Sequence, residues 1–459
     1  MDIKLYNTLH RTKEIFHPIH EGKVGIYCCG PTVYQRASIG NFRSYVFADL
    51  LRRTLIANGY EVKHIVNITD VGHLTDDASA GEDKMEKAAT NAEKSAWDIA
   101  AEYTALFEAD AAHLNILPPT KMPKATDHIG EQIKFIEDIE KAGYAYQISD
   151  GLYFDTGKLE NYGELSPQKS EEKEEGARVA VNEEKRNPTD FALWKFSRQG
   201  EHRQMEWPSP WGVGFPGWHI ECSAMSEKYL DLPFDIHTGG IDHIAVHHTN
   251  EIAQSLAARG VNPATYWMHN AFLLIDGGKM SKSLGNTYSL DDLKERGIEP
   301  LALRYFFLGA HYRVQENFTW EAIEAAQHAL DHLRELAQNL DVPSKIHEPS
   351  FEKFTTFMND DLNTPGALAF VWDFLREASI PSGEKAATLL EIDKFLGLNL
   401  DHPGAQPLAI PREIEDLVRA RERVREKRDF EASDRLRNEI EEKGYTIKDS
   451  TTGPIVGQK

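Results

Sequence analysis

The alternation of apolar and polar positions divides the chain into an α/β half followed by a helical half. Val24-Gly25-Ile26-Tyr27-Cys28-Cys29 is an apolar run of strand length, and His64-Ile65-Val66-Asn67-Ile68-Thr69-Asp70 is a second that ends in polar residues. Between them, residues 45–56 carry apolar side chains at helical spacing, opened by Ala37-Ser38-Ile39-Gly40-Asn41. Residues 88–115 predict one long helix, closed by Pro118-Pro119. Strand-like runs alternating with amphipathic helices over residues 24–117 predict a parallel sheet covered by helices. An acidic interval peaking at Glu171-Glu172-Lys173-Glu174-Glu175 reads as a solvated insertion, and the sheet pattern resumes at Pro233-Phe234-Asp235-Ile236-His237. After Asn286 the pattern is helical: 289–296, 300–308, 320–340, 350–379 with breaks, and 384–396. Residues 403–411 form a proline-marked linker, a charged helix runs from Arg412 to near Gly444, and Tyr445-Thr446-Ile447 is strand-like.

Composition narrows the class. At 459 residues the chain exceeds a single core and predicts two to four domains. No apolar run reaches membrane-spanning length, the first residues lack a signal-peptide plan, and three cysteines make no disulfide framework. The expectation is a cytoplasmic protein with no membrane partner. A net charge of −22 argues against a generic nucleic-acid binder. It leaves room for a local basic surface, and Arg419, Arg421, Arg423, Arg425, Lys427 and Arg428 concentrate positive charge in the tail. A solvated helix with Glu422 and Glu426 as partners is the plainer reading of that stretch.

Three constellations carry candidate chemistry. Lys279-Met280-Ser281-Lys282-Ser283, followed by Leu284-Gly285-Asn286, places two lysines three apart in a Gly- and Ser-rich turn. Such a loop can swing onto a polyphosphate and neutralise the charge that develops as pyrophosphate leaves. The turn Gly30-Pro31-Thr32-Val33-Tyr34 links the first strand to the helix opened by Ser38, a strand–turn–helix unit whose helix N-terminus suits phosphate. Third, His247 and Glu251 are four apart and share one side of a helix. With Cys29 and Cys222 they offer thiolate, imidazole and carboxylate ligands suited to zinc. Remote cysteines are more often buried small hydrophobes, and no CxxC pair is present. Cys28 and Cys29 point to opposite faces of a strand, so one of them packs in the core.

KMSKS resembles the second signature of the class I aminoacyl-tRNA synthetases. CCGPTVY, NITDV, GARV…KRNPTDFALWK, PGWHIECSAMS, FDIHTGG, HHTNEIAQS and KMSKSLGN occur in the order found in cysteinyl-tRNA synthetases, from Tyr6 to the C-terminus. The resemblance implies an α/β, Rossmann-like parallel-sheet catalytic domain followed by a helical bundle and a small C-terminal anticodon-binding domain. It assigns 1–124 and 206–264 to the two halves of the catalytic domain and 125–205 to a connective insertion. The KMSKS and stem-contact region is 265–315, the bundle 316–404 and the anticodon-binding domain 405–459. The implied reaction is activation of L-cysteine with ATP to cysteinyl-adenylate, then transfer to the 3′ end of tRNA(Cys), by a cytoplasmic monomer.

By residue, the resemblance places zinc on Cys29, Cys222, His247 and Glu251, and cysteine on Gly30, Thr69, Trp218 and His237. Zinc prefers a thiolate to a hydroxyl, so cysteine binds through its sulfur where serine cannot compensate. A separate editing domain is then unnecessary, and the insertion is too short and polar to be one. Lys279 and Lys282 match the signature lysines, with Lys282 and Gly40 toward ATP, which is expected with Mg²⁺. Arg425, Asp434 and Asp449 match positions facing anticodon bases, arginine suiting a guanine edge and aspartate accepting from an amino group.

The chain departs from the family at two places. The first signature reads Ser38-Ile39-Gly40-Asn41 where HIGH or HIGN is usual, so Ser38 and Asn41 stand as uncharged donors to phosphate. A donor lost at a transition state costs about 2.7–4 kcal/mol. His243, in Gly240-Ile241-Asp242-His243-Ile244-Ala245-Val246, is an extra histidine where the family reads GGSDLIFP, with a surface position as its alternative. Two rival readings accompany the resemblance: a ligase joining cysteine to an amino sugar in mycothiol synthesis, and a non-catalytic paralogue. The anticodon-like tail counts against the first, and the intact KMSKS and ligand set against the second.

Overall fold

A computed structural model describes residues 2–72, 74–76, 80–166, 182–198, 200, 203–280, 285–400, 412–426, 429–443, 445–450 and 453–458. The acidic peak at 171–175 and the linker at 403–411 lie outside the described residues. Two compact units are present: Met1–Leu330 with Leu340–Leu398, and Asp331–Asn339 with Asn399–Lys459.

In the first unit, β1 (Lys4–Asn7) and β2 (Thr12–Ile15) form a hairpin ahead of β3 (Lys23–Cys28), α1 (Ile39–Ala57) and β4 (Glu61–Val66). After a short hairpin of β5 (Leu74–Asp76) and β6 (Ala80–Asp83) come α2 (Lys84–Ala92), α3 (Ala96–His113) and α4 (Ile129–Lys141). Next are β7 (Ala145–Ile148), β8 (Gly151–Phe154), β9 (Phe191–Phe196), β10 (Gly214–Pro216) and α5 (Trp218–Leu230). β11 (Phe234–Gly240), α6 (Thr249–Arg259) and β12 (Ala264–Asn270) complete the catalytic sheet. β13 (Leu273–Ile275), β14 (Gly278–Lys279), α7 (Leu290–Glu295), α8 (Pro300–Leu308) and β15 (Glu316–Phe318) follow. The helical part is α9 (Trp320–Gln338), α10 (Glu348–Asn359), α11 (Thr364–Arg376) and α12 (Ser382–Leu396).

The central sheet has the order β12-β11-β3-β4 and is parallel throughout. Its strands are buried along most of their length, β11 throughout, and its C-terminal edge is the ligand-binding edge of such sheets. α1 is buried on nearly all sides: Ile39, Phe42, Val46, Phe47, Leu50, Leu51 and Leu55 pack in the interior together with Arg43, Asp49 and Arg53. Each such apolar side chain contributes about 1.5–3 kcal/mol of burial free energy. Phe42 and Tyr45 pack on Phe107 of α3, with ring centroids 5.6 and 4.8 Å apart.

The acidic insertion is more ordered than its composition predicts. β10-β9-β8-β7 form an antiparallel sheet, and Leu152, Phe154, Phe191 and Trp194 build a core with Phe135 and Ile136 of α4. The long helix expected over 88–115 is two: α2 stops at Glu93, which has a left-handed φ of 53°, and Ser95 starts α3 with a capping box to Asp98.

Arg304 of α8 is fully buried and gathers four groups. Its guanidinium donates to Leu396 O (2.6 Å), Leu114 O (3.1 Å), Asn115 O (3.3 Å) and Asp49 Oδ2 (2.6 Å). Asp49 of α1 also accepts from Arg53 Nε (2.7 Å) and Leu117 N (2.9 Å). Burial would raise the Asp49 pKa, but Arg304 and Arg53 outweigh it and hold the carboxyl below its usual range.

In the second unit, α13 (Arg412–Glu426), α14 (Phe430–Glu442) and a hairpin of β16 (Tyr445–Ser450) and β17 (Gly453–Gln458) replace the single predicted helix and strand. Ile414, Leu417, Val418, Ile440 and Tyr445 form its core. Among the described residues no helix is long and apolar enough to cross a membrane.

Candidate active site

Cys29 follows β3, Cys222 lies one turn into α5, and Glu251 opens α6. Their sulfur and carboxylate atoms and a nitrogen of His247 all lie within 4.8 Å of one another, and all four residues are buried. His247 Nε2 is 3.1 Å from Glu251 Oε1. The pair is four residues apart as expected, but not on a plain α-helix. Ile244–His248 forms a π-helical turn feeding α6, and the Thr249 hydroxyl donates to Ile244 O at 2.7 Å. Single π-turns of this kind recur at functional sites because they re-aim side chains. Cys28 is buried beside the site with its Sγ donating to Cys29 O at 3.6 Å, and it belongs to neither ligand group formed among the described residues.

A second group overlaps the first. Cys29, His237, His248 and Glu251 also converge within 4.8 Å. His237 Nε2 is 2.9 Å from Glu251 Oε2, and its ring stacks on Trp267 at 4.6 Å. His248 Nε2 is 3.3 Å from Cys29 Sγ, while its Nδ1 is 2.8 Å from His269 Nε2. His269 in turn meets the Thr8 hydroxyl at 2.8 Å. His248 and His269 were not singled out from the sequence, although the His247-His248 pair signalled one of them. Asn67 was also missed. Its Oδ1 accepts from Gly30 N (2.8 Å) and from Cys222 Sγ (3.7 Å), and its Nδ2 donates to Thr69 Oγ1 (3.1 Å).

Burial and neighbouring charge set the protonation of this cluster. Burial would raise the Glu251 pKa, yet the His237 and His247 imidazoles override it and hold the carboxyl well below its usual range. Burial would lower the His247 pKa, but Glu251 and then Cys222 lift it to about 10. The hydrogen bond from Cys29 pulls Cys222 down, while burial drives Cys29 up. Burial, with Cys222 adding to it and a hydrogen bond with Thr238 opposing, pushes Cys28 up to about 12. Two thiols, an imidazole and a carboxylate in one buried spot fit a tetrahedral zinc ion.

The cysteine-side residues gather around this cluster. A Cβ on Gly30 would sit 1.5 Å from Asn67 O, so only glycine lets the ends of β3 and β4 approach so closely. Thr69 N donates to Pro31 O at 3.0 Å. The half-buried Trp218 ring lies 4.5 Å from that of His247, and His237 Nδ1 is buried without a partner among the described residues. His243 is no surface residue: its side chain is 21% exposed, and its ring lies 5.2 Å from His247 and 5.1 Å from His248. Burial lowers its pKa to about 4.

At the first signature, Ser38 caps α1 in a capping box. Asn41 N donates to Ser38 Oγ (3.3 Å), while Ser38 N and Ser38 Oγ both donate to Asn41 Oδ1 (2.9 Å each). The Ser38 hydroxyl is thus already committed, and the exposed Asn41 amide nitrogen makes no hydrogen bond among the described residues. Exposed Lys279 ends β14, and its carbonyl accepts from Asn286 Nδ2 at 3.2 Å. Lys282 lies outside the described residues.

In the second unit the tail cations do not form one stripe. Residues two apart on a helix do not share a face. Arg421 is buried, Arg419 and Arg423 are exposed, Arg425 is half-buried, and Lys427 and Arg428 lie outside the described residues. Asp434 is exposed on α14, and Asp449 sits on β16 opposite Pro454.

Comparison with known proteins places these features. Residues 15–328 match the family profile described as tRNA synthetases class I (C) catalytic domain. Residues 353–400 match the DALR domain, and 409–453 match the cysteinyl-tRNA ligase anticodon binding domain. The chain is 50% identical over 454 residues to cysteine–tRNA ligase 1 of Burkholderia lata, covering 99% of this chain and 96% of that one. It is 43% identical to the cysteine–tRNA ligase of Treponema denticola, with 98% of each covered. In fold it resembles Mycobacterium tuberculosis methionyl-tRNA synthetase bound by methionyl-adenylate. That match has a TM-score of 0.56 at 15% identity, over 82% of this chain and 90% of the other.

Proposed function

The chain belongs to the cysteine–tRNA ligase family, and from that premise we propose how its residues divide the reaction. The enzyme is an ATP-dependent ligase that activates L-cysteine and esterifies it to tRNA(Cys). One observation carries the site assignment: the buried convergence of Cys29, Cys222, His247 and Glu251 at the C-terminal edge of a parallel sheet. Of the two overlapping ligand groups, this one offers two thiols, the donor type zinc favours. His237 and His248 then act as partners that orient Glu251 and Cys29. Zinc held there would supply a site selective for the substrate thiolate.

The remaining roles fall to the chain. Gly30, Thr69, Trp218 and His237 surround the amino acid, with Asn67 fixing the turn that presents the first two. ATP, as its Mg²⁺ complex, lies along Gly40 at the α1 N-terminus, where the dipole and the Asn41 amide meet phosphate. Lys279 and Lys282 neutralise charge developing on the leaving pyrophosphate. The cysteine carboxylate attacks the α-phosphorus and pyrophosphate departs. The 3′-terminal ribose hydroxyl of tRNA then attacks the acyl carbon, releasing AMP. Arg425, Asp434 and Asp449 read the anticodon, and the profile match over 409–453 disfavours an amino-sugar acceptor. The working unit is one chain, in the cytoplasm.

Cysteine-dependent pyrophosphate exchange, followed by charging of tRNA(Cys), tests this reading. Exchange with cysteine but not serine is expected. A protein that binds zinc and cysteine yet forms no adenylate would overturn it.

A further inference from the structure

A cavity apart from the ligand cluster, lined by residues of α1, β4 and α3, has a volume of about 480 Å³. Its floor is Tyr45, Ala48, Val66 and Phe107, all buried, with Ile116 and Leu117 on one wall. This size and apolar lining are typical of small-molecule sites. Among its polar side chains, one is buried with both ring nitrogens unmatched. His64 is 3% exposed, and neither ring nitrogen has a hydrogen-bond partner among the described residues. Its backbone is fully paired with Thr120, whose N donates to His64 O (2.8 Å) and whose Oγ1 accepts from His64 N (3.0 Å). Thr120 therefore holds the residue in place without satisfying the ring. Buried polar atoms left in this state are uncommon and call for a partner.

We propose that this cavity binds a flat, uncharged heteroaromatic small molecule that pairs with one nitrogen of the His64 imidazole through a ring N–H or a ring nitrogen. Burial, then the neighbouring Arg52, lowers the His64 pKa to about 3, so the imidazole is neutral and offers one donor and one acceptor. The exposed rim carries one residue of each sign, Glu108 and Lys121, and so selects no net charge. The apolar floor accepts a ring face, and the imidazole sets its orientation. This proposal does not rest on the ligase reading.

The test is calorimetric titration of the full-length protein with 1H-indazole, in the presence of saturating ATP so that the nucleotide site is filled. Saturable binding with a Kd of about 1 mM or tighter is expected for a probe of this size. His64→Leu, which keeps the volume, should weaken binding about tenfold, and indene, lacking both nitrogens, should bind the wild type about tenfold more weakly. Ala112→Trp, at an exposed rim position of α3, should close the cavity and abolish binding while leaving the fold intact. Absence of saturable binding, loss of binding when ATP is added, or equal binding by both variants and the wild type would each overturn the proposal.

Discussion

Gly40 lies directly against Met280, so the two signatures touch through one residue from each. A Cβ on Gly40 would sit 3.0 Å from the Met280 methyl carbon and 3.4 Å from its sulfur. Ile39 N also donates to Tyr288 O at 2.8 Å, so the start of α1 is bonded to the segment after the lysine loop.

Gly40→Ala should therefore separate stability from activity. Alanine is the better helix residue by roughly 0.5–1 kcal/mol, so Tm should hold or rise slightly. The added methyl meets the end of the Met280 side chain, which must shift by a few tenths of an ångström, and cysteine-dependent pyrophosphate exchange should fall. Met280→Ala in the same chain should restore much of the rate. If exchange is unaffected by Gly40→Ala, the contact has no bearing on the loop.

Lys282→Ala should lower activation by about 100-fold or more while leaving cysteine affinity nearly unchanged, because its charge acts at the transition state. Steady-state exchange with varied cysteine separates the two parameters. A proportional rise in the KM for cysteine would assign the lysine to substrate binding instead.

Metal analysis of purified variants can decide between the overlapping ligand groups. Cys222→Ser should lose or greatly weaken one bound zinc, and Cys28→Ala should retain it. His248→Ala should keep the metal with reduced affinity, by about 10–100-fold, as expected for a residue that orients a ligand. Metal loss in His248→Ala together with retention in Cys222→Ser would identify the other group.

Glu316 gives a pH dependence with a definite sign. Burial raises its pKa to about 7, and Arg43, 3.7 Å away and spending its donors on Phe272 O and Val314 O, only partly offsets this. The folded state therefore holds a proton that the unfolded chain releases near pH 4.5. This contribution is full below pH 4.5 and is lost as pH rises to about 7. Glu316→Gln should be more stable than the wild type at pH 8, by up to about 3 kcal/mol, with no such gain at pH 4. Denaturant midpoints at the two pH values measure the difference, and an equal shift at both would exclude titration as the cause.

Deleting residues 405–459 should spare cysteine-dependent exchange and cripple tRNA charging, since the profile match to an anticodon-binding module falls in this segment. Both activities measured on one preparation give the answer. Equal loss of the two would make the tail a structural element.

The candidate ligands were legible through the sequence blocks that resemble the synthetases, since spacing alone, with no CxxC pair, left Cys29 and Cys222 reading as buried small hydrophobes. Asn67 and His269 were not, because their roles come from pairing between segments distant in sequence. Asn67 ties Gly30 to Cys222, and His269 of β12 reaches His248 in the turn ahead of α6. The same reason hid the antiparallel sheet of the insertion, whose short strands are separated by a polar stretch. Arg421 misled differently: a count of charges along the sequence ignores helical rotation, which turns that residue into the core.

The Arg304 guanidinium has a consequence for how the molecule comes apart. One buried cation is shared by α8, the end of α12, the segment after α3 and Asp49 of α1. Removing Asp49 strands the guanidinium charge in the interior, a penalty on the order of 3–5 kcal/mol, and losing the guanidinium strands carbonyls at about 1–3 kcal/mol each. Helices α8, α12 and α1 therefore cannot melt in sequence. They unfold together, as a single cooperative transition.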